Sequence, residues 1–278
     1  MATQQPTATS TGSAVGHLLC EWRKRRRHSQ LEFALLADVS ARHLGFLETG
    51  RARPSREMVL RLAEHLDVPL RERNAMLLAA GFAPEYSEQH LDAPEMAAVR
   101  AAVDLVLAAH NPYPAIAVDR YWNIIAANPA AAVLSEGVAE QLLTPEPNVY
   151  RISLHPEGMS SHVLNFAEYA PHLLAQLRHD LATTADPRLG ELLEEVESYS
   201  TMKRLTRSRG PQRPVVVPLR FSHPQGELSM FTTIATFGTP ADVTISELAI
   251  ESFFPADSET AARLQQIAGH AEAESAEA

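Results

Sequence analysis

The chemistry legible in this chain is that of cations placed to grip a polyanion. Arg23-Lys24-Arg25-Arg26-Arg27 is a basic run, and Arg51 and Arg53 follow a second short segment that carries Arg42. A guanidinium such as that of Arg42 bonds both major-groove acceptors of guanine, which is worth roughly 1–3 kcal/mol of base discrimination. The run is compatible with a solvated helix face, or with one half of a phosphate clamp whose other half is Arg51 and Arg53. Whole-chain charge opposes a nucleic-acid partner, with 24 basic and 34 acidic residues among 278. The average conceals a split: residues 1–83 hold 12 Lys/Arg against 8 Asp/Glu, a net of +4, while residues 84–278 hold 12 against 26, a net of −14. A basic head on an acidic body would meet a duplex with the head alone, and such binding weakens steeply with salt.

Helices must position these cations, and the caps for them are present. Ser29 with Glu32 three residues on predicts a capping box for a first short helix, with Phe33, Ala34 and Ala37 inward. Asp38-Val39 predicts a tight turn. Ser40 caps a second short helix with Leu44 and Leu47 inward, and Gly50 ends it in the left-handed conformation. Upstream, Val15, Leu18, Leu19 and Trp22 stand at helical spacing. Downstream, Ser55 caps a helix with Met58, Val59, Leu62 and Leu66 inward, and another runs from about Leu70 to Ala80 before Gly81.

The run from Ser29-Gln30 to Ser40, then Leu47-Glu48-Thr49-Gly50 and Arg51-Ala52-Arg53-Pro54-Ser55, resembles the Xre-type, phage-repressor-like helix-turn-helix family over about residues 14 to 83. The resemblance implies sequence-specific binding to a double-stranded DNA operator. It places Gln30 against the sugar-phosphate backbone and a base, and Ser40, Ala41, Arg42, His43 and Phe46 against the major groove. Among these Arg42 is the leading base reader. Phe46 departs from the polar residue common at its position and would touch a thymine methyl. Arg23 and Glu48 match a pair that in relatives joins the first and third helices, so both are expected to be structural.

A polar, proline-flanked stretch from Phe82 to Pro94 predicts a linker, here bounded at 84–96, between a helix-turn-helix domain at 14–83 and a second domain at 97–268. The tails, 1–13 and 269–278, have the composition of disordered segments, the second one acidic. Ala97 to His110 predicts a helix; Ala115–Val118 and Trp122–Ile125 predict a hairpin around Asp119-Arg120. Helices are expected from about Ser160 to Ala182 and from Pro187 to Met202. Val215, Val217, Leu219 and Phe221 alternate as a strand, Glu227 to Phe237 returns after Pro224-Gln225-Gly226, and Leu248 to Phe254 is a last strand before a helix capped by Asp257. The expected fold class is therefore multidomain, α and α+β: a five-helix head, then a PAS-like antiparallel sheet with helices on one face.

The motifs Asn111-Pro-Tyr-Pro114, Asp119-Arg-Tyr-Trp-Asn123, Arg151-Ile-Ser-Leu-His-Pro-Glu-Gly158, Asn165-Phe-Ala-Glu168 and Glu247 to Asp257 resemble the ligand-binding domain of MmyB-like transcription regulators, over about 111 to 265. That resemblance implies a small-molecule effector, apolar and of the fatty-acid kind. Trp122, Phe166, Met230, Phe231, Ile234 and Phe237 are apolar enough to wall a pocket, and Arg151 or His155 would meet a carboxylate head group. Each apolar residue taken singly reads first as part of an ordinary sheet-helix core and His155-Pro156-Glu157-Gly158 first as a turn, while Arg151 suits a surface salt bridge as well as a ligand contact.

No Gly-x-Ser-x-Gly elbow, His-Glu-x-x-His helix, phosphate loop or cysteine pair is present, so neither catalysis nor a metal or other cofactor is expected. The single cysteine, Cys20, and the lack of a long apolar stretch fit a cytoplasmic protein with no membrane partner. The excess of arginine over lysine, 22 to 2, fits a GC-rich bacterial genome. The expected function is ligand-controlled operator binding by a homodimer. The alternative is a DNA-binding adaptor or antitoxin-like protein whose second domain holds a protein partner instead of a metabolite.

Overall fold

Three serines start three helices by the same device. Ser29, Ser40 and Ser55 lie in extended backbone, and their hydroxyls accept hydrogen bonds from the amides of Glu32, His43 and Met58 at 3.1–3.2 Å. Each cap satisfies an amide that the helix itself leaves orphaned. Glu32 completes a capping box by accepting from the Ser29 amide at 2.8 Å. The computed structural model describes residues 11–205, 217–238 and 240–277, and these divide into two units: residues 11–89 with 241–243, and the described residues from 90 to 240 with 244–277.

The first unit holds α1 (Thr11–Arg25), α2 (Gln30–Leu36), α3 (Ala41–Glu48), α4 (Arg56–His65) and α5 (Leu70–Ala80). Val15, Leu19, Trp22, Phe33, Ala34, Ala37, Leu44, Leu47, Val59, Leu62 and Leu66 close one core, with Leu18 and Met58 partly buried against it. Gly50 at φ 71° and Gly81 at φ 88° stop α3 and α5, as expected of residues free of a Cβ clash. Gly16 has a different reason: a Cβ there would meet the carbonyl oxygens of Leu47 and Glu48 at 2.4 and 2.8 Å, so α1 rests backbone-close on the end of α3.

The second unit opens with α6 (Ala97–Ala109) and the hairpin β1 (Ala115–Val118) and β2 (Ile124–Ala127). Short helices α7 (Glu140–Leu143) and α8 (Val149–Leu154) lead into α9 (Phe166–Thr184), α10 (Pro187–Ser198) and α11 (Ser200–Leu205). β3 (Leu219–His223), β4 (Gly226–Thr236), α12 (Val243–Ser246), β5 (Ala249–Pro255) and α13 (Ser258–Glu277) follow. The five strands form an antiparallel sheet of order β2-β1-β5-β4-β3, which is the PAS-like arrangement the element order implied. Alternation along the strands gives the sheet two faces. Ala115, Ala117 and Ile250 pack on Val103 and Leu107 of α6. Ile116, Val118, Leu219, Phe221, Leu228, Met230 and Phe253 face the other way, toward Val149 and Ile152 of α8, Tyr169 of α9 and Leu264 of α13.

Several boundaries differ from those the sequence predicts. The hairpin turn is wider, because the Asp119 carboxylate accepts from the amides of Tyr121 and Asn123 at 2.8 and 2.9 Å and holds Trp122 at φ 64°. β2 therefore begins at Ile124. α9 starts only at Phe166, because the 3-10 turn Met159–Ser161 and a bridge from Val163 to Phe221 occupy the preceding residues. The helix expected to end at Met202 breaks at Tyr199, whose ψ of 145° is extended. Val215 lies outside the described residues, and β3 begins at Leu219. α13 continues to Glu277, through the acidic stretch whose composition reads as disordered.

Asn128 fastens the sheet to α6. Its Oδ1 accepts from the amides of Ala115 and Ala131 at 2.9 and 3.1 Å, and its Nδ2 donates to the carbonyls of Leu107 and Tyr113 at 3.2 and 2.8 Å. All its polar capacity is used in a buried place. Asn128→Ala would orphan these groups together, and the expected loss is about 1–3 kcal/mol or more, since each unsatisfied buried group carries a penalty of that order. Chemical denaturation followed by circular dichroism checks it; a midpoint unchanged from wild type would remove Asn128 from this role.

Candidate nucleic-acid interface and ligand cavity

The exposed side of α3 is held in place by a buried ion pair. Arg23 of α1 donates through Nε and Nη2 to the Glu48 carboxylate at 2.6 and 2.9 Å, and through Nη1 to the His28 carbonyl at 2.7 Å. Gln30, the first residue of α2, donates to Glu48 Oε2 at 2.7 Å. One carboxylate thus joins three helices, which is the structural role anticipated for Arg23 and Glu48. Burial works against ionisation of Glu48, but the hydrogen bonds from Arg23 and Gln30 outweigh it and hold its carboxyl below the usual range.

With α3 fixed in this way, Arg42 projects into solvent, and its guanidinium carbon lies 5.3 Å from the centroid of the Phe46 ring. Phe46, unusual at its position, thereby gains a second role: a shelf that limits where the cation can sit. Ser40, Ala41 and His43 flank Arg42 in the first turn, Ser40 being occupied as the cap. Gln30 lies against the later part of α3, bonded to Glu48 and close to Gly45. Arg51 and Arg53 are exposed after it. The basic run separates into two sets. Arg23 is buried in its pair, and Arg26 donates to the carbonyls of Leu66 and Asp67 at 2.7 Å, closing the end of α4. Lys24, Arg25 and Arg27 remain exposed. Two of the five expected clamp residues, Arg23 and Arg26, are therefore structural fasteners, and the other three are surface cations.

In the second unit a cavity of about 520 Å³ opens between the sheet and the helices that follow it. Ile116, Ile124, Leu134, Val149, Ile152, Met159, Leu219 and Phe253 make its walls predominantly apolar, with Asn128, Ser135, Ser153, Tyr169 and Glu251 as polar members. A smaller chamber of about 50 Å³ shares Tyr169, Leu219 and Glu251 with it and adds Trp122, Tyr150, His172, Gln176, Thr232 and Ile234.

The residues anticipated for ligand contact scatter. Trp122 and Ile234 line the small chamber, Trp122 with its indole N–H bonded to Asp180 at 2.9 Å. Met230 is fully buried in the adjoining core and Phe166 packs against it. Phe231 and Phe237 are on the opposite side of the sheet, Phe231 stacked on Phe254 at 5.4 Å and Phe237 against the cluster of Val103 and Leu107. Arg151 donates twice to Glu195, at 2.9 and 2.8 Å, and Glu195 also accepts from the Tyr199 hydroxyl at 2.6 Å. His155 packs its ring edgewise on Tyr199 and accepts the Glu157 amide at Nδ1. Neither Arg151 nor His155 lines either cavity. Arg151 thus occupies the salt bridge, and His155 the turn, that the sequence left open for them.

Glu251 was not anticipated. It lies in the run Ala249–Pro255 with the same parity as Ala249 and Phe253, an acid on the inward side of a buried strand, and that parity is the signal that would have found it. Burial pushes its carboxyl up to about 7, only partly opposed by a hydrogen bond from Thr232.

Residues 99–267 match the family described as the MmyB-like transcription regulator ligand binding domain, more than half of the chain. The chain belongs to that family. Residues 21–73 match the helix-turn-helix family, which covers the ion-paired α1–α3 arrangement and its exposed arginine. The protein is thus built as a transcription regulator, with a DNA-binding head and a domain for a small-molecule effector. Among solved structures it is similar to the clp gene regulator ClgR from C. glutamicum, with 25% identity over 28% of this chain and 92% of that one and a TM-score of 0.23. An RNA-binding Light-Oxygen-Voltage receptor aligns over 97% of this chain and 70% of its own at 14% identity, with a TM-score of 0.29. Scores this low lend neither likeness any weight for function. No curated protein matches. Among the described residues no helix of this MmyB-like regulator is long and apolar enough to cross a membrane, and no cluster of three or more His, Cys, Asp or Glu could hold a metal ion.

Proposed function

We propose that this regulator binds a palindromic DNA operator as a homodimer and that an apolar effector in the large cavity sets the strength of that binding. The observation that carries the proposal is the cavity itself. Its roughly 520 Å³ and largely apolar walls fall within the ~300–1,000 Å³ typical of small-molecule sites. A molecule with a fatty-acid-like apolar body fits such walls. In the head, Arg42 reads guanine from its seat over Phe46, with Gln30, Ser40, Ala41 and His43 beside it and Arg51 and Arg53 on phosphates. Two heads of a dimer reach successive major grooves about 34 Å apart.

Selection of genomic fragments by the purified protein, followed by titration of the selected duplex and a scrambled one, tests this reading. The wild type is expected to prefer the selected duplex by at least about 10³-fold, the low end for specific regulators. Arg42→Ala is expected to lose about 5–150-fold on that duplex, equivalent to about 1–3 kcal/mol, with little change on the scrambled one. Equal binding of both duplexes by the wild type would sink the proposal. Native mass spectrometry of gently purified protein provides the complementary reading: a copurifying small molecule supports a sensor, and a protein partner in its place supports the adaptor alternative.

A further inference from the structure

The large cavity contains an ionisable wall, and its sign is negative. Glu251 lies on β5 in the partition between the two chambers, 5% exposed, and its Oε2 is buried with no hydrogen-bond partner among the described residues. The groups facing it come from three sides. From β4 comes the Thr232 hydroxyl, from α8 Tyr150, and from α9 Tyr169 and His172, with Asp180 further along α9 acting on Tyr150. The Tyr150 hydroxyl is likewise buried without a partner. Burial raises both tyrosines, so they stay neutral and their oxygens are available as acceptors. No lysine or arginine lines either chamber among the described residues.

A carboxylate-bearing ligand finds no lysine or arginine here, His172 being the one basic side chain among the lining residues, and it finds one group, Glu251, that repels it. A primary amine finds the reverse: three N–H donors for the Glu251 carboxyl and the Tyr150 hydroxyl, whose oxygens have no partner among the described residues, and a head small enough for a chamber of about 50 Å³, which admits only a few non-hydrogen atoms. The geometry points to a primary aliphatic amine as the effector class, its chain lying in the large cavity and its ammonium held by Glu251 at the partition, with Tyr150 and Tyr169 as further acceptors. This rests on the reading of the large cavity as the effector site, and replaces only the head group that a fatty acid would bring.

Decylamine, decanol and decanoate share one chain length and differ at the head, so they separate the two questions. Their binding to the full-length protein would be measured by titration calorimetry at pH 6, 7 and 8. A bound ammonium pairs with ionised Glu251, so decylamine affinity is expected to rise from pH 6 to 8 as the carboxyl titrates near 7, the amine itself staying charged like a lysine. Decanoate affinity is expected to fall over the same interval, and decanol affinity to stay level. At pH 8 decylamine should bind at least 10-fold tighter than decanoate. Glu251→Gln should remove most of that preference together with the pH trend, while leaving decanol within 2-fold. Decanoate binding as tightly as decylamine at pH 8, or decylamine indifferent to pH, overturns the amine assignment while leaving an apolar site standing. Failure of all three compounds to bind overturns both. Should Glu251→Gln not fold, the wild-type pH series decides alone.

Discussion

Glu48→Ala is expected to destabilise the helix-turn-helix unit by about 3–5 kcal/mol, the usual cost of stripping one partner from a buried ion pair. Glu48 and Arg23 side chains are 3% and 8% exposed, so the guanidinium left behind has no water to replace the carboxylate, only the His28 carbonyl and the Cys20 sulfur. Gln30 loses its partner as well. In a unit of this size the loss corresponds to more than about 10 °C in melting temperature. Hydrogen exchange read by mass spectrometry over α1, α2 and α3 would localise the loss. Replacing both partners by apolar residues, Arg23→Met with Glu48→Leu, is expected to recover most of the stability, because no charge then remains buried. If the single variant were as stable as wild type, the pair would not be what orients α3. The pH dependence has a definite sign. Glu48 is held below its ordinary value in the folded state, so its contribution is complete above the unfolded carboxyl value near 4.3 and disappears as pH falls through the folded one.

The head was legible in the sequence and the cavity was not, for a physical reason. Caps and helical spacing are local: Ser29, Ser40 and Ser55 bond amides three residues on, and Leu44 and Leu47 are neighbours on one turn face. The strands, apart from where β2 and β3 begin, followed from local alternation and from turns such as Pro224-Gln225-Gly226, and the sheet's antiparallel character from the order of the elements. A cavity, by contrast, depends on which residues are brought together from distant segments. Ile116, Val149, Leu219 and Phe253 come from four elements, and no spacing rule relates them. Phe231 and Met230 are adjacent in sequence and equally apolar, yet the pleat sends them to opposite faces of β4. Arg151 failed as a pocket residue because its partner Glu195 lies 44 positions away. The candidate DNA-contacting residues depend less on such pairings, because all but Gln30 of α2 fall on α3, its cap and the segment just after it.

Filling the cavity is expected to disconnect the head from its effector without unfolding the protein. Ala131 and Ser153 both line the large cavity and are both buried, so Ala131→Phe with Ser153→Leu would put side chains where the empty volume now lies. Added bulk in a packed core costs about 1–3 kcal/mol through strain, but here it meets space rather than neighbours. Stability should therefore hold or rise, the removed void being itself a cost. The ligand compartment would be lost, with at least a 100-fold weakening for whichever decyl compound the wild type binds. Effector coupling in allosteric proteins is typically about 1–3 kcal/mol, so that compound should change wild-type operator affinity by about 5–150-fold. In the filled variant the change should fall below 2-fold, and operator affinity without effector should sit at one of the two wild-type extremes. A fluorescence-anisotropy titration of operator, with and without the compound, reads both quantities. Intact coupling in a variant shown by thermal melting to be folded would move the effector site out of this cavity.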